Sequence, residues 1–387
     1  MSSNLNRFTM LLVVCIPTCI FAQEKTPTLV QEDSKLQEVA NSTLKRFELP
    51  GVCLAIVDGD RRVRIAAAGV RKAGEPAKLT IHDRFHLGSC TKAMTATIAA
   101  CVVRDTKLEW DSTIEDALPE LAKQCHAGYK KVTLRQLLDH QSGLPANSFF
   151  MRLVDKTKPH TEQRRQLFST VLKAKPATEP GTRYVYSNLG FMLAALMAET
   201  ETGNSWRDLM KKYLFGPLKM ESAGFGPPAT KNQPDQPWGH YRKGKKWLPT
   251  EIDNPPVLGP AGRVHCTLAD WGRFGALHLG HSPSTTATSK DTESKTASTT
   301  GADTIKFLHR PAKGNNYTFG WIVTQRPWAG GTALAHSGSN TVWFATIWIA
   351  PKKDRAYLVA TNTGQKSARK ACDDAVVQMI QLTASEK

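Results

Sequence analysis

The sequence predicts an α+β fold in which an antiparallel sheet, built from both ends of the chain and flanked by terminal helices, carries an inserted and mostly helical domain. Three observations predict it. Strand-like runs gather at 51–70 and 319–361, with an amphipathic helical stretch outside each. Helical periodicity dominates the residues between them. The link from Pro351 to Arg355 is too short for a crossover, so the strands on either side of it are antiparallel neighbours. The α/β part then takes about 33–88 and 316–387, and the helical part about 89–315.

Met1 to Ala22 has the form of a secretory signal: Arg7, an apolar run from Met10 to Phe21, then Ala22 before Gln23. The run is shorter than the roughly 20 residues a bilayer span needs. The expectation is a mature chain of 23–387, periplasmic or secreted, with no stable membrane span. Lys35 to Phe47 follows as an amphipathic helix through Leu36, Val39, Leu44 and Phe47, then strands Gly51–Val57 and Arg61–Val70 about an Asp58-Gly59-Asp60 turn. Arg84 to Leu87 is extended and runs into Gly88, Ser89 and an apolar helix, Ala93–Val103. Thr133-Leu134-Arg135-Gln136 has capping-box form and opens a short helix to His140, closed by the turn Ser142-Gly143-Leu144-Pro145. Further helices are predicted at Glu162–Lys173, Leu189–Thr202 (stopped by Gly203), Trp206–Leu214 and Leu268–Leu279 (begun by Thr267 with Asp270, stopped by Gly280). Residues 282–303 are almost all Ser, Thr, Ala, Lys, Asp and Gly, and read as a disordered surface insert. Strands Phe319–Thr324, Thr332–Ala335, Val342–Ile349 and Ala356–Thr361 and a helix from Ser367 to Leu382 end the chain.

With 387 residues and 41 % hydrophobic content the chain can bury a large core. Its formal charge of +17, or +16 without the single charge of the signal, Arg7, is scattered. No basic helix or aromatic-basic stripe signals nucleic acid. The basic field can draw an anionic substrate or cell-wall polymer, or serve solubility alone. Cys15 and Cys19 leave with the signal; Cys53, Cys90, Cys101, Cys125, Cys266 and Cys372 remain, a number that allows disulfides at a spacing that demands none. There is no Cys-x-x-Cys and no His-Glu-x-x-His, so no metal site is signalled, and no cofactor is expected.

Chemistry concentrates at Gly88-Ser89-Cys90-Thr91-Lys92. A serine opening a buried helix has free backbone N–H groups and the positive dipole end beside it. Lys92, three residues on, shares its face, and a desolvated lysine can take the hydroxyl proton. Ser-x-x-Lys also occurs at Ser42 and Ser367, but inside amphipathic helices with no strand or glycine before them. Cys90 reads as a packing residue on the opposite side of the helix. Tyr186-Ser187-Asn188, the one Tyr-x-Asn in the chain, precedes an apolar helix. A phenol whose pKa is lowered by a nearby cation can relay a proton, and an amide can hold the lysine and the substrate carbonyl. His336-Ser337-Gly338-Ser339 lies at the end of a strand that, edging a cleft, could offer its backbone to an extended acyl substrate. Gly338 would let a ligand come close, and the N–H groups of Ser89 and Ser339 would form an oxyanion hole.

These three motifs, in this order, resemble those of the penicillin-recognising serine hydrolases, and most closely the class C β-lactamase-like branch with its family VIII carboxylesterases, D-aminopeptidases and DD-peptidases. The resemblance runs from about Lys35 to Leu382. It includes Thr133 to Pro145, Phe215-Gly216-Pro217-Leu218-Lys219-Met220, Gly259-Pro260-Ala261-Gly262-Arg263 and Phe319-Gly320-Trp321. It implies a β-lactamase/DD-peptidase-like fold and a cofactor-free acyl-enzyme mechanism on a small-molecule or peptide substrate, cell-wall peptides included. Ser89 would be the nucleophile, Lys92 its proton acceptor, Tyr186 the general base or relay, Asn188 a substrate and lysine contact, and Asn147 a substrate-binding amide. His336 would line the cleft opposite. One departure counts: true class C β-lactamases usually carry Lys-Thr-Gly where this chain has His336-Ser337-Gly338. A histidine anchors a substrate carboxylate less firmly than a permanent ammonium, which favours an esterase or peptidase over an efficient β-lactamase. The alternative is a penicillin- or wall-peptide-binding protein that is acylated without turning over.

Overall fold

The computed structural model describes residues 29–59, 62–280 and 301–386. The signal expected at 1–22 lies outside the described residues, as does the insert from 282 to 300. Its last residues, Gly301–Asp303, are a correction: they open a helix, Gly301–Phe307, because Ile305 and the following Leu308 are buried and anchor it.

Thirteen strands are present among the described residues: β1 Val30–Glu32, β2 Gly51–Val57, β3 Val63–Gly69, β4 Arg84–His86, β5 Gly224–Phe225, β6 Gly239–Lys243, β7 Lys246–Thr250, β8 Val264–Thr267, β9 Tyr317–Thr318, β10 Trp321–Arg326, β11 Gly331–Ser339, β12 Phe344–Ala350 and β13 Arg355–Thr361. Eight form one sheet in the order β1-β3-β2-β13-β12-β11-β10-β9, so strands from both chain ends meet at the β2–β13 pair. β12 and β13 pair antiparallel across the short link, Ala350 opposite Arg355. The sheet is covered on both faces, which explains why β2 reads as one continuous apolar run. Val52, Leu54 and Ile56 pack under the terminal helices Ser34–Arg46 and Lys366–Ala384 with Leu36, Ala40, Ala375 and Met379. Cys53, Ala55 and Val57 point the other way, into a second core shared with the helices Thr91–Asp105, Asn188–Thr202 and Leu268–Leu279. At about 1.5–3 kcal/mol for each fully buried aliphatic side chain, both layers contribute heavily.

Two of these helices are apolar all round because they are central. Every residue from Thr91 to Val102 and from Leu189 to Glu199 is buried. Gly203 closes the second in the left-handed conformation, and Gly280 closes Leu268–Leu279 in the same way. The capping box at Thr133 forms, with its helix ending at Leu138. The helix expected over 206–214 is α-helical only to Met210; it then widens into a π turn, with Gly216 N–H donating to Lys211 O, five residues back.

The strand expected to end at Ala335 instead runs on through His336, Ser337, Gly338 and Ser339, a correction. These residues have little strand preference of their own. They are held by pairing with Ile347, Thr346, Ala345 and Phe344 of β12, and by a 3.0 Å hydroxyl pair between Ser337 and Thr346. The six cysteines outside the signal are all free thiols. No helix among the described residues is long and apolar enough to cross a membrane.

Candidate active site

β4 pairs with β8, and Leu87 N–H donates to Val264 O at 2.9 Å, so the chain reaches Gly88 from a fixed direction. A 3₁₀ turn, Gly88–Cys90, joins strand to helix; Ser89 thus sits just ahead of the α-helix rather than within its first turn. Gly88 has φ +50°, and a Cβ there would lie 2.4 Å from Ser339 N. From the other side, a Cβ on Gly338 would lie 2.1 Å from Leu87 O and 2.5 Å from Ser89 N. Gly88 and Gly338 therefore let β11 press its backbone against the serine's turn. The close approach that Gly338 permits here is that of the Ser89 turn. Cys90 fills the gap behind, buried with Sγ 3.6 Å from His336 O, and burial pushes its thiol pKa far up.

Ser89 is partly exposed, and two side chains meet its hydroxyl, one from the helix that follows it and one from a distant segment. Tyr186 Oη lies 2.7 Å from Ser89 Oγ, and Lys92 Nζ lies 3.1 Å from it. Lys92, fully buried, also donates to Asn188 Oδ1 and to Ala261 O, each at 2.7 Å. Asn188 in turn donates from Nδ2 to Asn147 Oδ1 at 2.9 Å. Ser89, Lys92, Tyr186, Asn188 and Asn147 thus form one contiguous chain of contacts.

Electrostatics assigns the protons. All of Lys92's partners are uncharged, and burial holds its pKa well below the ordinary lysine value. A neutral amine has two N–H donors and one lone pair. With two N–H groups on Asn188 Oδ1 and Ala261 O, an uncharged Lys92 would have its lone pair free for the Ser89 hydroxyl, 3.1 Å away. Tyr186 departs from expectation: its phenol pKa is raised to about 12, chiefly by burial, which outweighs the lowering effect of its hydrogen bond with Ser89. The phenol stays protonated and donates to Ser89 Oγ.

The Tyr-x-Asn segment is held by the loop after the capping-box helix. His140, at φ +59°, accepts from Ser187 N–H on Nδ1 at 3.0 Å, and its carbonyl accepts from Val185 N–H at 2.7 Å. Ser187 Oγ donates to Pro145 O at 2.7 Å and caps the Asn188 helix, accepting from Gly190 N–H at 3.1 Å. The His140 ring packs among Tyr184, Tyr186, Phe191 and Tyr317. His336 is buried with Nε2 3.3 Å from Tyr317 Oη. Burial above all drops its pKa to about 3, so its ring is neutral and offers no cation. Ser339 is exposed at the strand's end, its Oγ accepting from Thr341 N–H at 3.1 Å.

Sequence reasoning missed a buried group beneath the turn. His86 Nδ1 accepts from Gly88 N–H at 3.1 Å, and its Nε2 lies 3.0 Å from Asp253 Oδ1. Asp253 also takes Arg263, with Nε 2.8 Å from Oδ2, and Asn340 Nδ2 at 3.0 Å. One carboxylate thereby ties the residue preceding Ser89 to the residue following Ser339. Its pKa is held well below the usual carboxylate range by His86 and Arg263, against the cost of burial. No local pattern announces Asp253; only the tertiary fold gives it meaning. The other two Ser-x-x-Lys serines lie on the terminal helices beside exposed lysines. Among the described residues, no group of three or more His, Cys, Asp and Glu converges to hold a metal ion.

Residues 36–379 match the model of the family described as Beta-lactamase. An unguisins hydrolase of Aspergillus campestris is 26 % identical over 260 residues, 65 % of this chain and 48 % of that protein, so the chain spans about half of this relative's length. Penicillin-binding protein 4 of Amycolatopsis lactamdurans is 25 % identical over 349 residues, 85 % of this chain and 84 % of that one. Among solved structures, a D-amino acid amidase from Ochrobactrum anthropi aligns with a TM-score of 0.70 at 20 % identity, covering 90 % of this chain and 98 % of that one.

Proposed function

Because the chain belongs to the Beta-lactamase family, we propose that it is an exported serine hydrolase that forms an acyl-enzyme on Ser89 and acts on esters and D-amino-acid amides or peptides in preference to β-lactams. The observation that carries this reading is the buried Lys92 amine, held by Asn188 and Ala261 with its nitrogen 3.1 Å from the Ser89 hydroxyl. Ser89 Oγ attacks the substrate carbonyl carbon and gives its proton to Lys92. The negative oxygen of the tetrahedral adduct rests on the N–H groups of Ser89 and Ser339; one such donor is worth about 10²–10³ in rate. Tyr186, beside the leaving atom, donates its phenolic proton as the bond to the leaving group breaks, and recovers one from the Lys92 ammonium. Water then attacks the ester of Ser89 by the reverse route. Asn188 and Asn147 face the substrate with their amides.

The substrate preference rests on His336. A buried, neutral imidazole offers no fixed cation for the carboxylate of a β-lactam. The hydrolase and amidase activities in the relatives' names fit the same carbonyl chemistry. Export rests on the Met1–Ala22 pattern. Substitution of Ser89→Ala is expected to abolish both hydrolysis of short-chain esters and labelling by a fluorophosphonate. Retained turnover would exclude Ser89 as the nucleophile. Intact-mass spectrometry after one turnover separates an enzyme from a trap, because a trap keeps the acyl mass indefinitely.

A further inference from the structure

A second concavity, of about 270 Å³, lies at the start of the helix His160–Val171 and draws its wall from Lys158, His160, Arg164, Arg207 and Arg263. None of the residues lining it carries a carboxylate. Two of its arginines are neutralised from behind. Arg164 is buried on Glu199, and Arg263 holds Asp253 at 2.6 Å. Lys158 lies in the field of Asp155 on the preceding loop. Arg207 is exposed, its guanidinium 4.8 Å above the Phe225 ring, and no carboxylate is recorded as its partner among the described residues. The first turn of the helix has no side-chain cap, and its N–H groups add to the positive field here, against the opposing charge of Glu162 in the same turn. The aromatic faces of Trp206 and Phe225 supply an apolar wall opposite the charges.

We propose that this cavity binds a small anion of the phosphate class, inorganic phosphate or a phosphate monoester, with Arg207, Lys158 and His160 on its oxygens. The guanidinium fork suits two oxygens of a tetrahedral anion, the lysine supplies a point charge, and an imidazole N–H a third donor. The volume equals that of about nine liquid waters, enough for a phosphate with an organic group laid on Phe225 and Trp206. The imidazole already feels the excess charge: burial and then Arg164, Arg207 and Arg263 lower its pKa, and Glu199 alone is recorded as opposing them. A bound dianion would reverse that field.

The test is calorimetric titration of the full chain with inorganic phosphate and with phenyl phosphate, alongside NMR titration of the His160 ring. Saturable binding is expected, with the His160 pKa rising in the bound state and affinity falling at least about tenfold in Arg207→Gln and in Lys158→Gln. Both side chains are exposed and neither belongs to the contacts that hold Ser89, so ester turnover and melting temperature should stay unchanged, which separates this site from the catalytic one. Tighter binding of phenyl phosphate assigns the ester; equal binding assigns free phosphate. No heat at tens of millimolar, or undiminished binding by the double variant, overturns the proposal.

Discussion

Gly338→Ala tests the contact on which the proposed oxyanion hole depends. The added methyl would sit 2.1 Å from Leu87 O, 2.5 Å from Ser89 N and 2.8 Å from Cys90 N, and all three are backbone atoms with no rotamer to yield. Cβ atoms essentially never come within 3.0 Å, so β11 and the serine's turn must part by about 0.9 Å at Leu87 O. A misplacement near 1 Å can cost on the order of 10² in rate, and loss of one oxyanion donor about 10²–10³. The expected result is a fall in kcat/KM of about 10²–10³ on a p-nitrophenyl ester, carried by kcat. Overpacking of this kind should also cost about 1–3 kcal/mol, with a melting point lowered by about 1–2 °C for each kcal/mol in a folded unit of this size. Gly275→Ala is the control. There the methyl meets Ala356 Cβ at 3.6 Å and Ile347 Cδ1 at 3.7 Å, ordinary contacts inside a helix, so stability should hold or rise by about 0.4–1 kcal/mol with turnover intact. Wild-type kcat/KM in Gly338→Ala would refute the reasoning, because β11 could not then be pressed against the serine.

Lys92→Met keeps the volume and removes the base, so kcat should fall by about 10²–10⁴ while circular dichroism is unchanged; a smaller loss would shift the base role to Tyr186. Since turnover needs the uncharged amine, the wild-type rate should decline as pH falls through Lys92's depressed pKa, a limb that Lys92→Met lacks in its residual pH–rate profile. Asp253→Asn leaves Arg263 and His86 without their anion and should cost about 3–5 kcal/mol in urea unfolding. Because the folded carboxyl titrates below its free value of 3.8, its stabilisation is complete above that pH and fades as acid approaches the lower folded value; the variant should show a flatter acid limb. Thr133→Ala removes the acceptor for Gln136 N–H, 3.2 Å away, and should lower stability by about 1 kcal/mol, read as a shifted urea midpoint.

What the sequence made legible was whatever is encoded locally. Gly203 and Gly280 stop helices where a left-handed residue is needed, Thr133 and Gln136 cap one, and Ser89, Lys92 and the Tyr-x-Asn announce themselves by spacing. Contacts between distant backbones stayed hidden. The extension of β11 through Ser339 is imposed by β12, and the four residues of β8 are too few to show a period. The Ala261 carbonyl that helps hold Lys92 has no side chain to betray it. The directions of the Tyr186 and Lys92 shifts are both set by burial, which spacing alone does not reveal.

The pairing of β2 with β13 also sets the order in which the molecule can be completed. Val52, Leu54 and Ile56 are covered only in part, by the helix Ser34–Arg46, until the helix Lys366–Ala384 arrives, and the middle of the sheet is missing until Arg355–Thr361 is inserted between β2 and β12. Contacts spanning some three hundred residues must therefore close late, and closure of this kind is slow. A partly made chain would hold its first strands open, and the arrival of β13 and the helix behind it would seal them.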